Sequence, residues 1–155
     1  MSKHYLRKLD DKMGKAEYDM YRAIPAEEIG MENPCHFMSY NEWRKWLNGE
    51  ISQKEYITYI MYLEDYQIGH ITIAFNIKTD GGNLSYVIRP VCRGKGLSEV
   101  MLKLAIQEAK QLGIKKLVGF ANKRNVASWQ TMEKSGFTFI KETEWLSKQY
   151  ELKLS

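Results

Sequence analysis

Residues 84–113, LSYVIRPVCRGKGLSEVMLKLAIQEAKQLG, constrain the fold more than any other stretch of the sequence. They have the pattern of an apolar strand, a basic turn with two glycines and a long amphipathic helix, with no linker between them. At such a junction the free N–H groups of the turn and the positive end of the helix dipole point to one place. Because this arrangement suits phosphate, the segment predicts a site for a phosphorylated ligand.

The rest of the composition is that of an ordinary globular protein. The chain has 155 residues, a net charge of +4 and 44% hydrophobic residues, and we expect residues 1–155 to form a single domain. Basic and acidic residues are mixed along the chain, which favours a solvated surface over a nucleic-acid face. No apolar run approaches the roughly 18 residues of a membrane span, and the N-terminus lacks the apolar region of a signal peptide.

The two cysteines give no sign of a disulfide or a metal site. Cys35 and Cys92 are far apart and lack CxxC spacing, so we expect no thiolate metal site and no disulfide framework. Two free thiols fit a reducing compartment, and we therefore expect a cytoplasmic location.

Hydrophobic periodicity and turn residues predict the elements before the glycine turn. We expect a strand at 4–9, a helix at 12–24, a loop at 25–38, a helix from Ser39 to about residue 49, and strands at 56–63, 69–77 and 84–89, with turns at 64–67 and 79–83. Glu27, Glu28 and Glu32 on the loop would suit a cationic partner, although a solvated loop explains them equally well.

The elements after the turn follow the same rules. We expect a helix at 97–112, a strand at 117–121, a helix at 126–134, and strands at 137–142 and 148–154. A strand, a helix and a strand in this order normally pair in parallel with a right-handed crossover, so strands 84–89 and 117–121 should lie side by side. The predicted fold is therefore of the α/β (α+β) class, with a mixed, mostly antiparallel sheet flanked by helices.

Two signatures together relate the chain to a known family. Arg93-Gly94-Lys95-Gly96-Leu97-Ser98 follows a Q/R-x-x-G-x-G/A pattern, with Ile88-Arg89-Pro90 before it. Asn125-Val126-Ala127-Ser128 follows an N-x-x-A/S pattern, and the next helix ends in Glu133-Lys134-Ser135-Gly136-Phe137. With both signatures at the right spacing, the chain resembles the GCN5-related N-acetyltransferase (GNAT) family over nearly its whole length.

The resemblance implies an acetyl-CoA site in which the central parallel strands splay apart. The pyrophosphate would bind the backbone amides of residues 94–98, with charge added by Arg93 and Lys95. The pantetheine arm would pair with the backbone at Val87 and Ile88, close to Asn125 and Ser128. Two simpler interpretations stay open, because Gly94 and Gly96 could be plain turn glycines and Asn125 could be a helix cap alone. Ser98 replaces the usual Gly or Ala but is also small.

A second departure from the family pattern concerns proton transfer. The tyrosine that many members use to protonate the leaving thiolate falls here on Met132, which cannot donate a proton. Water, Tyr86 or Tyr150 could take its place. The proton of the attacking amine needs an acceptor, for which His70, Asp80 and Glu142 are candidates by chemistry, although each could also be an ordinary surface or turn residue.

These patterns predict an enzyme that transfers an acetyl group from acetyl-CoA to a primary amine of a small molecule or protein by direct attack. The alternative, suggested by Met132, is a catalytically degenerate acyl-CoA-binding sensor or regulatory module. We expect an amine or peptide substrate as the partner, with no nucleic acid and no membrane, and we leave a homodimer open.

Overall fold

A computed structural model describes residues 3–28, 31–76 and 78–154, without the side chains of Glu28, Met31 and Trp145. The α-helices are α1 (Lys15–Ala23), α2 (Tyr40–Ile51), α3 (Leu97–Gln111) and α4 (Val126–Lys134). The strands are β1 (His4–Lys8), β2 (Glu27–Glu28), β3 (Met31–Glu32), β4 (Tyr56–Leu63), β5 (Tyr66–Asn76), β6 (Gly81–Ile88), β7 (Lys116–Asn122), β8 (Thr138–Thr143) and β9 (Ser147–Lys153). Short 3₁₀ helices cover Pro34–Phe37, Pro90–Cys92 and Glu144–Leu146.

Seven strands form one sheet in the order β1-β4-β5-β6-β7-β9-β8, and β2 and β3 form a separate hairpin. The strands of the large sheet pair antiparallel except for β6 and β7, which are parallel and joined through α3. The predicted fold class and the predicted parallel pair are confirmed. Within the described ranges, no helix combines the length and apolarity needed to cross a membrane.

Strand residues alternate between two apolar layers, one on each face of the sheet. Ile71 and Ile73 face the layer that holds the buried side of α3. Ile60 and Tyr62 face the other layer, which contains the buried aromatic side chains of α1 and α2. α3 and α4 thus pack on one face, while α1 and α2 cover the opposite face.

The parallel pair separates part-way along its length. β6 pairs with β7 from Gly81 to Leu84, opposite Lys116 to Gly119, and the pairing stops there. β6 continues to Ile88, whereas the end of β7 remains paired with β9 alone. The last residues of β6 therefore border a gap in the sheet, which we call the splay.

The structure differs from the sequence prediction at several element ends. Gly81 and Gly82, predicted as turn residues, begin β6, and a Cβ at Gly82 would lie 3.1 Å from Ile73 Cγ2 and 3.2 Å from Ile114 Cδ1. Glycine is therefore needed at position 82 because Ile73 and Ile114 leave little room for a side chain, and not because the backbone turns there. The turn before β5 is shorter than predicted, because Glu64 adopts a left-handed conformation with φ of 56°.

The segment between α1 and α2 is more ordered than the predicted loop. It contains the β2–β3 hairpin and a 3₁₀ helix, and Asn33 anchors it by donating to the carbonyls of Tyr21 and Ile24 at 2.8 and 2.9 Å. α1 begins at Lys15 and not at residue 12, because the Glu17 carboxylate accepts the N–H of the N-cap residue Gly14 at 2.8 Å. Ile77, predicted at the end of a strand, lies outside the described residues.

Gly69 is required where β5 passes the splay end of β6. A Cβ at Gly69 would collide with the carbonyl oxygen of Val87 and would lie 3.0 Å from Ile88 Cα. Because these atoms are backbone, they cannot move aside, and we expect Gly69→Ala to lower the free energy of unfolding by about 1–3 kcal/mol in urea denaturation.

Gly49→Ala is the matched control. Gly49 lies on the exposed side of α2 with no atom within 4 Å of a Cβ, so the substitution should stabilise the protein by about 0.5–1 kcal/mol. Equal effects of the two substitutions would contradict the packing argument.

Candidate active site

The turn after β6 exposes backbone N–H groups to open space. Gly94 and Gly96 lie in the left-handed region, with φ of 77° and 73°, and no atom lies within 4 Å of a Cβ at either residue. Gly96 is also the N-cap of α3 and has no side chain to accept the first N–H groups of the helix. These donors and the positive end of the helix dipole are therefore available to an anion.

A cleft of about 380 Å³ lies between this turn, the end of β6 and α4. All the predicted cofactor residues except Lys95 line it, and Tyr86 lines it as well. Those residues are Val87, Ile88, Arg93, Gly94, Gly96, Leu97, Ser98, Asn125 and Ser128. The fold thus brings the two sequence signatures to opposite walls of one cleft.

Sequence reasoning missed further residues of the cleft lining. They are Cys92, Glu99, Ala127, Gln130, Thr131 and Lys134. Those on α4 recur at steps of three and four residues, so the helical period from Ser128 onward could have identified them. Glu99 and Lys134 form an ion pair of 3.8 Å between α3 and α4, but both side chains are largely exposed and the pair adds little stability.

The backbone of β6 alternates between its two sides. The N–H of Arg89 donates to the carbonyl of Ile68 at 2.8 Å, and the carbonyl of Val87 approaches Gly69, so both residues face β5. The N–H and C=O groups of Tyr86 and Ile88 consequently face the splay. The carbonyl of Ile88 accepts Arg93 Nε, so the N–H and C=O of Tyr86 and the N–H of Ile88 form a short strand edge to which an extended chain with amide groups can bond.

The two basic residues of the first signature differ in position. Arg93 Nε donates to the carbonyl of Ile88 at 2.9 Å, which places the guanidinium at the mouth of the splay. Lys95 is exposed, and its Nζ lies 3.4 Å from the carbonyl oxygen of Val91, outside the cleft lining. Arg93 is therefore the closer of the two positive charges to the β6 edge.

Asn125 and Ser128 occupy the first turn of α4. Asn125 Oδ1 accepts the N–H of Ser128 at 3.3 Å, so the helix-cap interpretation is confirmed, and Asn125 also lines the cleft. The Tyr86 hydroxyl lies 3.3 Å from both Oγ and the carbonyl oxygen of Ser128. This contact connects β6 to α4 across the cleft.

The fold and both signatures agree with one protein family. A model of the acetyltransferase (GNAT) domain matches residues 15–138, which include the glycine turn and α4. The chain belongs to the GNAT acetyltransferase family. The resemblance inferred from the two signatures is confirmed, and as a GNAT acetyltransferase the protein takes its acetyl group from acetyl-CoA.

Known proteins of several kinds are similar to this GNAT chain. The putative phosphinothricin acetyltransferase YwnH of Bacillus subtilis (strain 168) is 27% identical over 122 residues, which cover 71% of this chain and 72% of that protein. Ribosomal L7/L12 alpha-N-protein acetyltransferase RimL, solved in complex with coenzyme A, superposes with a TM-score of 0.79 at 17% identity, over 99% of this chain and 96% of RimL. The dodecameric spermidine N-acetyltransferase from Vibrio cholerae superposes with a TM-score of 0.77 at 15% identity, over 98% of this chain and 94% of that one. The two structural matches support the fold.

The cleft of this GNAT protein fits acetyl-CoA. Gly94 and Gly96 leave space beside the free amides for a pyrophosphate, and the Tyr86–Ile88 edge offers strand bonds to an amide-containing arm. When bound, acetyl-CoA supplies the acetyl thioester that is transferred.

Met132 and Tyr150 lie outside the cleft lining. Met132 is 1% exposed and packs against β7, since its Sδ would be 2.5 Å from a Cβ at Gly119. Tyr150 is buried on β9 and donates to Glu133 Oε2 at 2.5 Å. Burial, together with this hydrogen bond, raises the pKa of Tyr150 well above its usual value. Of the predicted hydroxyl donors, Tyr86 is the one in the cleft.

The three candidate bases lie in different parts of the fold. Asp80 is exposed in the turn before β6, at the opposite end of that strand from the splay. Glu142 is exposed on β8 and forms an ion pair of 3.3 Å with Lys123. His70 pairs in register with Val87, beside the splay, and its half-buried ring packs against Tyr21 with 5.1 Å between ring centroids. Burial lowers the pKa of His70 to about 4, so the imidazole is neutral at pH 7.

Alanine substitutions at Gly96 and Gly113 separate the effect of the glycine turn on ligand binding from the effect of a positive φ on folding stability. Both have positive φ, 73° and 79°, with no atom within 4 Å of a Cβ, so each change to alanine should cost about 1–2 kcal/mol of folding stability. Gly96→Ala should also weaken coenzyme A binding in calorimetry by about tenfold or more, because the new methyl group enters the cleft, whereas Gly113→Ala should leave binding unchanged. Equal affinities in the two variants would make Gly96 a plain turn glycine.

The lowered pKa of His70 should make the free energy of unfolding depend on pH. Its pKa is 6.5 when unfolded and about 4 when folded, so below pH 6.5 the unfolded chain binds a proton that the folded chain does not. The contribution of neutral His70 is therefore present above pH 6.5 and is lost as the pH falls toward 4. In urea denaturation, His70→Gln should show a shallower loss of stability over this window than the wild type. Parallel curves would show that His70 titrates normally.

Proposed function

We propose that this GNAT protein transfers the acetyl group of acetyl-CoA to a primary amine of a small molecule or protein by direct attack of the amine nitrogen. The observation that carries the proposal is the splay, whose free strand edge at Tyr86 and Ile88 continues from the open glycine turn at the N-terminus of α3. A thioester held along that edge would be accessible to an amine, because β7 no longer pairs with β6 in this part of the sheet.

The chain divides coenzyme binding between two sets of groups. We assign the pyrophosphate to the amides from Gly94 to Ser98, where the helix dipole reinforces the hydrogen bonds. The pantetheine arm is assigned to the backbone of Tyr86 and the N–H of Ile88, with Asn125 and Ser128 on the facing wall. The resemblance implied Val87 and Ile88, but the backbone of Val87 faces β5. Arg93 contributes positive charge at the splay, and the exposed Lys95 contributes through longer-range attraction only.

Two groups of the chain support the acyl transfer itself. The N–H of Ile88 faces the splay and is suited to stabilise the negative charge that develops on the acetyl oxygen. His70 lies on the neighbouring strand outside the cleft lining, and its lowered pKa makes it a weak base, so its part is limited to passing the amine proton to water. Asp80 and Glu142 lie too far along the sheet for this role.

The acceptor we favour carries positive charge. Glu27 and Glu32 are exposed and directly opposed across the β2–β3 hairpin, and like charges in that arrangement repel one another. A cationic acceptor would relieve the repulsion. By their names, similar structures include enzymes that acetylate spermidine and a ribosomal protein, so the fold is compatible with both small and protein acceptors.

Other aspects of the proposal follow from the same fold. The single seven-stranded sheet supports one domain over residues 1–155. Cys35 and Cys92 are buried free thiols, which supports a cytoplasmic location, and a homodimer stays a prediction. The degenerate sensor has no support beyond Met132.

An amine panel assayed by release of free coenzyme A thiol tests the proposed activity. Spermidine, a monoamine and a peptide with a free N-terminus represent the acceptor classes, and we expect turnover with at least one of them and the highest kcat/KM for a polycation. Binding of acetyl-CoA without thiol release from any amine would refute the proposal in favour of a sensor.

Charge-neutral variants test the preference for a cationic acceptor. The double variant Glu27→Gln with Glu32→Gln should raise KM for spermidine more than KM for the monoamine, which carries a single positive charge. Glu55→Gln is the control, because Glu55 is exposed next to β4 at the far end of the sheet. An equal change in both variants would remove the hairpin from substrate recognition.

A further inference from the structure

We propose that the Tyr86 hydroxyl is the general acid that protonates the coenzyme A sulfur as it leaves, in place of the tyrosine that Met132 replaces. This inference rests on the proposed acetyl transfer and assigns one of its two proton transfers. The position of the Tyr86 side chain supports this role. Tyr86 extends from the free edge of β6 across the cleft, and its hydroxyl lies 3.3 Å from Ser128 Oγ on α4.

The contacts of α4 show why Met132 takes no part in the cleft. Ser128 and Met132 lie one helical turn apart on the same side of α4, but only Ser128 lines the cleft, whereas Met132 is buried against Gly119 of β7. Gly119 has no side chain, which leaves room for Met132 beside the strand. Position 132 therefore offers a buried thioether, whereas the phenol of Tyr86 lines the cleft from the opposite wall.

The backbone position and the pKa of Tyr86 also fit a proton donor. Backbone alternation places the N–H and C=O groups of Tyr86 in the splay, so its side chain starts beside any thioester that pairs with this edge. Burial raises the pKa of Tyr86 above its usual value, and the hydrogen bond with Ser128 offsets only part of this increase. The phenol is consequently protonated at neutral pH and able to donate.

The proposed transfer conserves atoms, electrons and protons. The amine nitrogen forms a bond to the acetyl carbon, and the carbon–sulfur bond breaks with its electron pair passing to sulfur. The Tyr86 hydroxyl gives its proton to sulfur, which leaves as the free thiol. The phenolate then recovers a proton from solvent water, and the amine nitrogen gives up its own proton to water, so no proton is gained or lost overall.

Tyr86→Phe tests the assignment, with Tyr150→Phe as the matched control. Both remove one hydrogen-bonded phenol oxygen, but Tyr150 is bonded to Glu133 outside the cleft. We expect Tyr86→Phe to lower kcat by about 10²-fold, at the low end for a general acid because a thiol is a good leaving group, with unchanged coenzyme A affinity. Tyr150→Phe should keep its kcat. A Tyr86→Phe enzyme that retains full kcat, or that loses affinity alone, overturns the proposal.

A second measurement does not depend on turnover. The thiolate of bound coenzyme A can be titrated by its ultraviolet absorbance, and a hydrogen bond from Tyr86 to sulfur favours the charged form. The pKa of the bound thiol should therefore rise by about one unit from wild type to Tyr86→Phe, as expected for loss of a hydrogen bond to a charged group. An identical titration in both proteins overturns the assignment. If no amine is acetylated but the thiol titration shifts, the acceptor proposal fails and the placement of Tyr86 survives.

A fluorinated tyrosine provides a third test, because it changes the acidity of the phenol without the packing change that could disturb folding. Replacing Tyr86 alone with 3-fluorotyrosine preserves its size and makes the phenol more acidic. The alkaline limb of the kcat profile should then move to lower pH, a change that a purely structural role would not produce. An unmoved limb contradicts the proposal.

Discussion

The structure depends on the point at which two parallel strands stop pairing. β6 and β7 share hydrogen bonds as far as Leu84 and Gly119, and beyond that point β7 follows β9 while β6 continues alone. A strand edge inside a sheet carries backbone groups that need partners, since an unpaired buried N–H or C=O is costly. Most features of the cleft can be understood as ways of using or covering this edge: α3 begins above it, α4 forms the facing wall, and Arg93 and Tyr86 extend into it or across it.

The two walls of the cleft are matched by side-chain size. Gly119 on β7 provides the space into which Met132 packs, and the resulting position of α4 brings Ser128 to the Tyr86 hydroxyl. A larger residue at 119 would push Met132 toward the cleft. Met132, which stands where many family members have a tyrosine, is thus buried against Gly119. The phenol of Tyr86 lies on the other wall of the cleft.

Much of this could be predicted from the sequence, because the relevant signals are local. The strand, glycine turn and α3 follow one another without a linker, and the capping residue and end of α4 are readable from Asn125 and Gly136. Long-range contacts could not be predicted. Nothing in the sequence pairs Met132 with Gly119, and nothing distinguishes Tyr86 from Tyr150 until β9 places the latter beside Glu133. Likewise, Gly82 resembles a turn residue until Ile114 is seen against it.

The bond from Arg93 Nε to the carbonyl of Ile88 affects more than the local charge. An uncovered strand edge is a template on which another chain can add a strand, and proteins commonly protect such edges with a charged side chain. Arg93 does this from within the first signature, beside the glycine turn. One arginine thus covers the strand edge and brings positive charge to the cleft, so its replacement would affect solubility as well as the charge of the cleft.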